Sequence, residues 1–542
     1  MNLEKKWKIL LAIAMGTIMV PINASIVNVS LPAITSFFSS SITSSEWVIT
    51  AYLINLLGFV LLFGRLGDIY GHERIYMAGL IGFVATSLLC SISPLITLLI
   101  LFRGLQGIAA ALMISVSMGI VKDAFPVGQT GKALGIYAVA IAAGLAIGPL
   151  IGGFLQTFSG WQAIFLVNVP MGIISFLLCS KVLENKGPKP AKLDISGAIL
   201  QYICIFSVVY SLNSIQTLRI DLITIFTVLT ALITLILFIY VEKRVEDPLL
   251  DIRIFKNRTF SAFNLSLFFN YISMYMILFI MPFYLQKVLK LDSALTGAVL
   301  TISPVTMMIL APVSGIFSDK IGSRPLAIIG ALISTVAMYS MTYLTIFSNA
   351  FDVLWKLALL GIGAAIFQAP NNRLIMNIIP DKGLASSVIV TIRNMGMVFG
   401  VCIAGLLLST TIDPVLLEQN QLYNLNAYNF TQGMYLIMFL GAFLSILILI
   451  LSPVGTYRKK ITETKDRIQD SEMVPSPNGI IMESKEIIEK SKLLKYFQNI
   501  INYSGFLKYL KGIIDASEKL QKPKETIKQH YEGMFPSGKN DE

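Results

Sequence analysis

Charge is what this sequence has least of. Only 13% of its 542 residues are Asp, Glu, Lys or Arg, about half the share usual in soluble domains. There are two histidines, His72 and His530, and four cysteines. No carboxylate falls deep inside any of the long apolar runs, where proton-coupled carriers usually keep an Asp, Glu or His. No G-x-x-x-x-G-K-[ST] loop occurs, so no ATP motor of that kind is encoded, and the lack of H-E-x-x-H argues against a zinc hydrolase. Cys90, Cys179, Cys204 and Cys402 all sit in apolar runs. They read as small packing residues rather than disulfides or metal ligands. Neither a metal nor a cofactor is expected, and the chain does not read as an enzyme.

What is present is apolar surface. Hydrophobic residues make up 55% of the chain, and the mean hydropathy is +0.73. They come in runs of about 20 residues almost free of charge, the length that crosses a hydrocarbon core. The short alternating segments of a membrane β-barrel are missing. The fold class is therefore all-α integral membrane, with about fourteen spans. Ile9–Val29 is the first; it is too long for the apolar core of a signal peptide. Trp47–Phe63, Leu98–Val121 and Ala133–Phe154 are the second, fourth and fifth.

The net charge of +11 does not imply nucleic acid. The basic residues lie between the apolar runs, and Lys5, Arg65, Arg74, Lys122, Lys256, Lys320 and Arg324 fall on one side. By the positive-inside rule that side is cytoplasmic, with both termini, and the membrane is the cell membrane. Beyond Pro453 the sequence turns polar. Residues 456–542 form a basic tail that either lies on the anionic inner leaflet through a partly amphipathic helix or stays mobile.

An internal repeat organises the rest. "GRLGDIYGHER" follows the second span and "GIFSDKIGSRP" the tenth. In the first, Gly64, Arg65, Gly67, Asp68, Gly71 and Arg74 combine tight reversal with a charge that can pair. Gly315, Asp319, Gly322 and Arg324 repeat the pattern. Two copies at matching places read as a conformational latch, a pair made in one state and broken in another. The repeat divides the chain into a six-helix bundle at 1–185, an inserted pair of spans with linkers at 186–245, a second six-helix bundle at 246–455, and the tail.

Within the spans, Arg103 and Gln106 in "RGLQG" and Arg393 in "TIRNMG" are polar groups that belong inside a bundle, since a charge facing lipid is costly. They are candidates for coupling or substrate contact. So are Asn23 in "PINASIVNVSLP" and Glu46, the nearest remaining acid, placed at the outer end of the second span. Asn28, Asn270, Tyr271 and Asn371 are candidates to line a cavity. Gly144, Gly148 and Gly152 recur every fourth residue, and with Gly153 they suggest close helix packing, to which Pro149 adds a kink.

Taken together, these motifs resemble the major facilitator superfamily, and most closely its fourteen-span drug:proton antiporter branch of multidrug efflux type, over about Trp7 to Pro453. The loop after Gly64 and its echo at Gly315, "RGLQG", "GLAIGPLIGG", "WQAIFLVNVP" and "INASIVNVSLP" carry the likeness. The resemblance implies two pseudo-symmetric six-helix bundles around a cavity, two inserted helices, and transport by alternating access. It implies proton-driven export of lipophilic compounds. It also implies a latch role for Asp68 and Arg74, a coupling role for Arg103, and a hinge or seal at Gly148 and Pro149. The sequence departs where the branch usually has an acid and this chain has Asn23. An amide neither carries a proton near neutrality nor attracts a cation by charge. Two functional expectations follow: a proton-coupled exporter of drug-like compounds, or a transporter of an anionic or amphiphilic substrate that uses the intramembrane arginines. A membrane sensor or enzyme is a third, weaker reading.

Overall fold

Among the described residues, fourteen helices are each long and apolar enough to span a bilayer. The computed structural model describes residues 4–126, 129–184, 194–215, 222–245, 252–379, 382–411 and 424–452. The tail and most of the two linkers flanking the inserted pair lie outside these. Among the described residues every regular element is helical. Inside hydrocarbon each backbone N–H and C=O must be satisfied within its own segment, which a helix does.

The first span is α1 (Lys5–Thr17) and α2 (Met19–Phe37), joined at Ile18. It is followed by α3 (Ile42–Tyr70), α4 (His72–Ser91), α5 (Ile96–Ala124), α6 (Thr130–Ser159), a short α7 (Ala163–Leu166) and α8 (Asn168–Val182). The inserted hairpin is α9 (Ile195–Ile215) and α10 (Leu222–Glu242). The second bundle has α11 (Arg258–Phe283), continued by a π-helical turn at Tyr284–Val288, then α12 (Ser293–Ile321), α13 (Ser323–Met341), α14 (Ala350–Ile378), α15 (Lys382–Ser409) and α16 (Asn424–Leu451).

Several helices run well past the hydropathy estimate. The second span, expected at Trp47–Phe63, begins at Ile42, where Ser41 caps it by accepting from the Ser44 N–H. A hydropathy window stops at the first charge, whereas the helix continues until its ends are capped. Pro149 lies inside α6, which runs unbroken through it from Thr130 to Ser159.

Gly71, between α3 and α4, has φ 99°, and Gly322, between α12 and α13, has φ 91°. Only glycine takes this backbone without penalty. The two turns are equivalent positions of the repeat and lie on one face of the molecule, here called the basic face.

Within the bundles α3 packs on α5, α2 on α6, α13 on α14 and α11 on α15; between them, α6 meets α12 and α3 meets α15. These cross-bundle pairs join the fifth helix of one bundle to the second helix of the other, so a parallel repeat exchanges them. The contacts gather toward the face opposite the basic one. A Cβ on Gly153 would come within 2.2 Å of the Ser293 carbonyl oxygen, and one on Gly297 within 2.2 Å of the Pro149 carbonyl oxygen. Gln286 Nε2 donates to the Val29 carbonyl at 2.7 Å, and Lys287 Nζ to Ser36 Oγ at 3.3 Å. Toward the basic face, a Cβ on Gly135 of α6 or Gly315 of α12 meets nothing within 4 Å.

Candidate functional site

In the first bundle the polar centre is Arg103 on α5, 1% exposed. Its Nε donates to the Val48 carbonyl at 2.8 Å, and its Nη1 donates to Asn23 Oδ1 and, at 2.6 Å, to Gln106 Oε1. Gln106 Nε2 donates onward to Ser87 Oγ at 2.7 Å. The guanidinium carbon lies 4.2 Å from the Tyr52 ring centre and 5.8 Å from that of Phe165. Gly107 makes this possible: a Cβ there would sit 2.3 Å from the Tyr52 carbonyl oxygen, so α5 rides directly on the backbone of α3. Thus carbonyl dipoles and aromatic faces solvate the cation, with no carboxylate partner among the described residues. This accounts for the amide at Asn23. The residue is fully buried and turned onto Arg103, rather than lining a cavity. Asn28 is also buried, its Nδ2 donating to its own helix at the Ala24 carbonyl.

A second polar cluster joins α11, α14 and α15. Tyr271 donates its hydroxyl to Gln368 Oε1 at 3.1 Å, and Gln368 Nε2 donates to Asn270 Oδ1 at 2.8 Å. Asn371 is buried, with Nδ2 donating to the Phe263 carbonyl. Arg393, on α15, lies within electrostatic reach of the phenols of Tyr271, Tyr275 and, across the bundles, Tyr137. Its Nε is buried without a hydrogen-bond partner among the described residues. Gly396 and Gly400, one and two turns on, allow the Tyr271 and Tyr275 Cβ atoms to lie where side chains of α15 would otherwise be. Gln368 was not anticipated, although a lone amide in the apolar run "AAIFQAP" was a readable signal.

The third polar point is Glu46. It lies one turn inside the start of α3, at the end of the span where the sequence puts it, and is 0% exposed. Asn213 of α9 donates Nδ2 to Glu46 Oε1 at 3.2 Å, and the same nitrogen is 3.8 Å from Cys402 Sγ of α15. Helix α9 is held on α3 by Tyr202, which donates to Asn55 Oδ1 at 3.1 Å, and by rings of Trp47, Phe59, Phe206 and Tyr210. Asn213 and Cys402 carried no distinguishing mark in the sequence. Their importance comes only from the junction of three helices.

The sequence profile of the Major Facilitator Superfamily matches residues 13–247 and 263–510. The chain belongs to that superfamily. Among relatives, it is 32% identical over 406 residues to the riboflavin transporter RibZ of Clostridioides difficile (73% of this chain, 87% of that one). It is 29% identical over 417 residues to the tetracenomycin C resistance and export protein of Streptomyces glaucescens (76% and 77%). Multidrug transporter MdtP of Bacillus subtilis is 27% identical over 410 residues (73% and 74%). A bacterial Spinster homologue in an inward-facing, unoccupied conformation shares the fold, with TM-score 0.60, 15% identity and coverage of 84% and 98%. So does the xylose transporter XylE of Escherichia coli, at 0.55 and 13%, with coverage of 83% and 98%.

The superfamily's signature loop holds an internal contact. Asp68 Oδ1 lies 3.1 Å from His72 Nε2 within its own bundle. The His72 ring sits against Gly67 and Gly119, where a Cβ would come within 2.8 and 2.9 Å of it. Arg65 is half-buried and Arg74 exposed. In the second copy Arg324 is half-buried, and the side chain of Asp319 lies outside the described residues. Among the described residues no group of His, Cys, Asp and Glu is placed to hold a metal ion.

Proposed function

We propose that this transporter is a proton-driven exporter working by alternating access, and that its substrate is an aromatic or amphiphilic small molecule, neutral or anionic. The basic face and both termini are toward the cytoplasm, and the state described is the one closed on the outside. The observation that carries the substrate class is Arg393. It brings a positive charge among three tyrosines, with no carboxylate partner among the described residues. Such a site attracts an anion or a polarisable ring and repels a lipophilic cation. The relation to a riboflavin transporter supports a flat aromatic cargo, and the exporters among the relatives support outward direction. Arg103, sealed among amides and rings, organises α2, α3 and α5. The loops at Asp68 and Asp319 latch the basic face when it closes.

Vesicles containing the purified chain test this, using riboflavin and an anionic aromatic dye, with and without an imposed pH gradient. Arg393→Ala should reduce dye transport about tenfold or more, as the loss of one charge-assisted contact implies, and Arg393→Lys should keep part of it. Binding of lipophilic cations alone would show the substrate class to be wrong.

A further inference from the structure

Tyr271, Gln368 and Asn270 form a hydrogen-bonded relay that has a direction. Tyr271 of α11 donates its hydroxyl to Gln368 Oε1 of α14 at 3.1 Å, and Gln368 Nε2 donates back to Asn270 Oδ1 of α11 at 2.8 Å. Gln368 is 9% exposed and Asn270 5%. An amide between a phenol and a second amide can be satisfied either way round. Run one way, the relay ends in the Asn270 Nδ2 donor. With both amides turned over, it ends in the Asn270 Oδ1 acceptor. The neighbouring charge decides between them. Arg393 lies within electrostatic reach of the Tyr271 phenol. The phenol oxygen therefore turns its lone pairs toward the guanidinium and its hydrogen away, onto Gln368. The two amides follow, and Asn270 Nδ2 is left with no partner among the described residues. Arg393 Nε is likewise buried without one.

We propose that Gln368 sets the specificity of this site: by holding Asn270 as a donor, it selects an aromatic anion that carries a second hydrogen-bond acceptor, such as a ring carbonyl or a nitrile, and rejects one that presents a donor there. This rests on the reading of Arg393 as the cargo site given above. The guanidinium, which only donates, receives the negative group. Asn270 Nδ2 reads the far edge of the ring. A nearly buried donor with no partner is costly, so a cargo acceptor relieves that cost, whereas a cargo donor leaves both groups unpaired. Selection of this kind is steeper than selection by fit in an apolar pocket. Gln368 is a positioning residue that acts through Asn270. A glutamate in its place would accept from both neighbours, and Asn270 would turn over to offer Oδ1 to the cargo. The preference should then invert, an outcome that a merely structural role for Gln368 does not produce.

The test measures binding to the full chain in nanodiscs with three probes. These are 2-naphthoate, 6-cyano-2-naphthoate, whose nitrile only accepts, and 6-amino-2-naphthoate, whose uncharged aromatic amine donates. The cyano compound should bind roughly tenfold more tightly than the amino one, the factor for a buried donor that is met rather than opposed. In Gln368→Glu the order should reverse, while both affinities fall because the new carboxylate offsets Arg393. In Gln368→Ala and Tyr271→Phe nothing fixes the direction of the relay, and the two affinities should lie within about twofold of each other. Unsubstituted 2-naphthoate has no group for Asn270. It should bind these last two variants within about threefold of its affinity for the unchanged chain, which separates lost discrimination from lost folding. A cyano-to-amino ratio near one in the unchanged chain, or a ratio that all three variants leave as it was, overturns the proposal while the Arg393 reading stands. Binding of the three acids that Arg393→Ala leaves unaffected, or no binding of any of them, overturns that reading and the proposal with it.

Discussion

At the residue scale the informative pair is Asn23 and Arg103. Both stood out in the sequence, one as an amide where the family keeps an acid, the other as an arginine inside a span. Their bond did not, because eighty residues separate them and only the folded bundle brings a side chain of α2 to one of α5. The structure changes what Asn23→Asp should do. The new carboxylate would face the guanidinium and be neutralised there, so lipophilic cation export should not appear in a substrate panel. Gain of such export would contradict the pairing. Arg103→Ala leaves the oxygens of Asn23, Gln106 and Val48 facing a void. It should cost roughly 2–5 kcal/mol, read as a lowered unfolding midpoint in detergent. Arg103→Lys should recover only part, since an ammonium lacks the planar fork that reaches three acceptors.

At the element scale the glycines of α6 were legible as a face but not as two faces. Gly144, Gly148 and Gly152 receive α2, where the nearest atoms to an added Cβ belong to Ile18, Ser25 and Ile26. Gly153, one residue on, turns to α12 in the other bundle. These neighbours respond differently. A methyl at Gly148 meets the Ser25 hydroxyl at 1.9 Å, which can rotate away, whereas a methyl at Gly153 meets a backbone carbonyl that cannot. Gly153→Ala and Gly297→Ala should hold the opposite face open, measured as faster labelling of Cys402, while Gly148→Ala should perturb it much less. Equal effects from all three would refute the division of the stripe. Helix ends were the least legible feature. α3 has an extra turn before Trp47, in which Glu46 is fully buried, because caps rather than hydropathy end a helix.

At the scale of the whole molecule, the spans and the repeat follow from run length and two copies of one motif, both local in sequence. The surroundings of Arg393 are not local: the phenols of Tyr137, Tyr271 and Tyr275 near it come from two bundles. The segment from residue 456 to 542 is outside the described structure, and its amphipathic pattern remains a sequence expectation. Transport should survive truncation after Tyr457 in the vesicle assay, with rates within about twofold, as expected when all fourteen spans are kept. Loss of transport would assign the tail a part in the cycle.

One consequence of the Arg103 site concerns permeation rather than carriage. A guanidinium sealed among carbonyl oxygens and rings keeps its charge through the cycle, and Arg393 adds another. A small inorganic cation or hydronium drawn toward the interior meets two fixed like charges in a low dielectric, the device by which some pores exclude protons. The molecule should therefore show very little uncoupled cation conductance while it rocks.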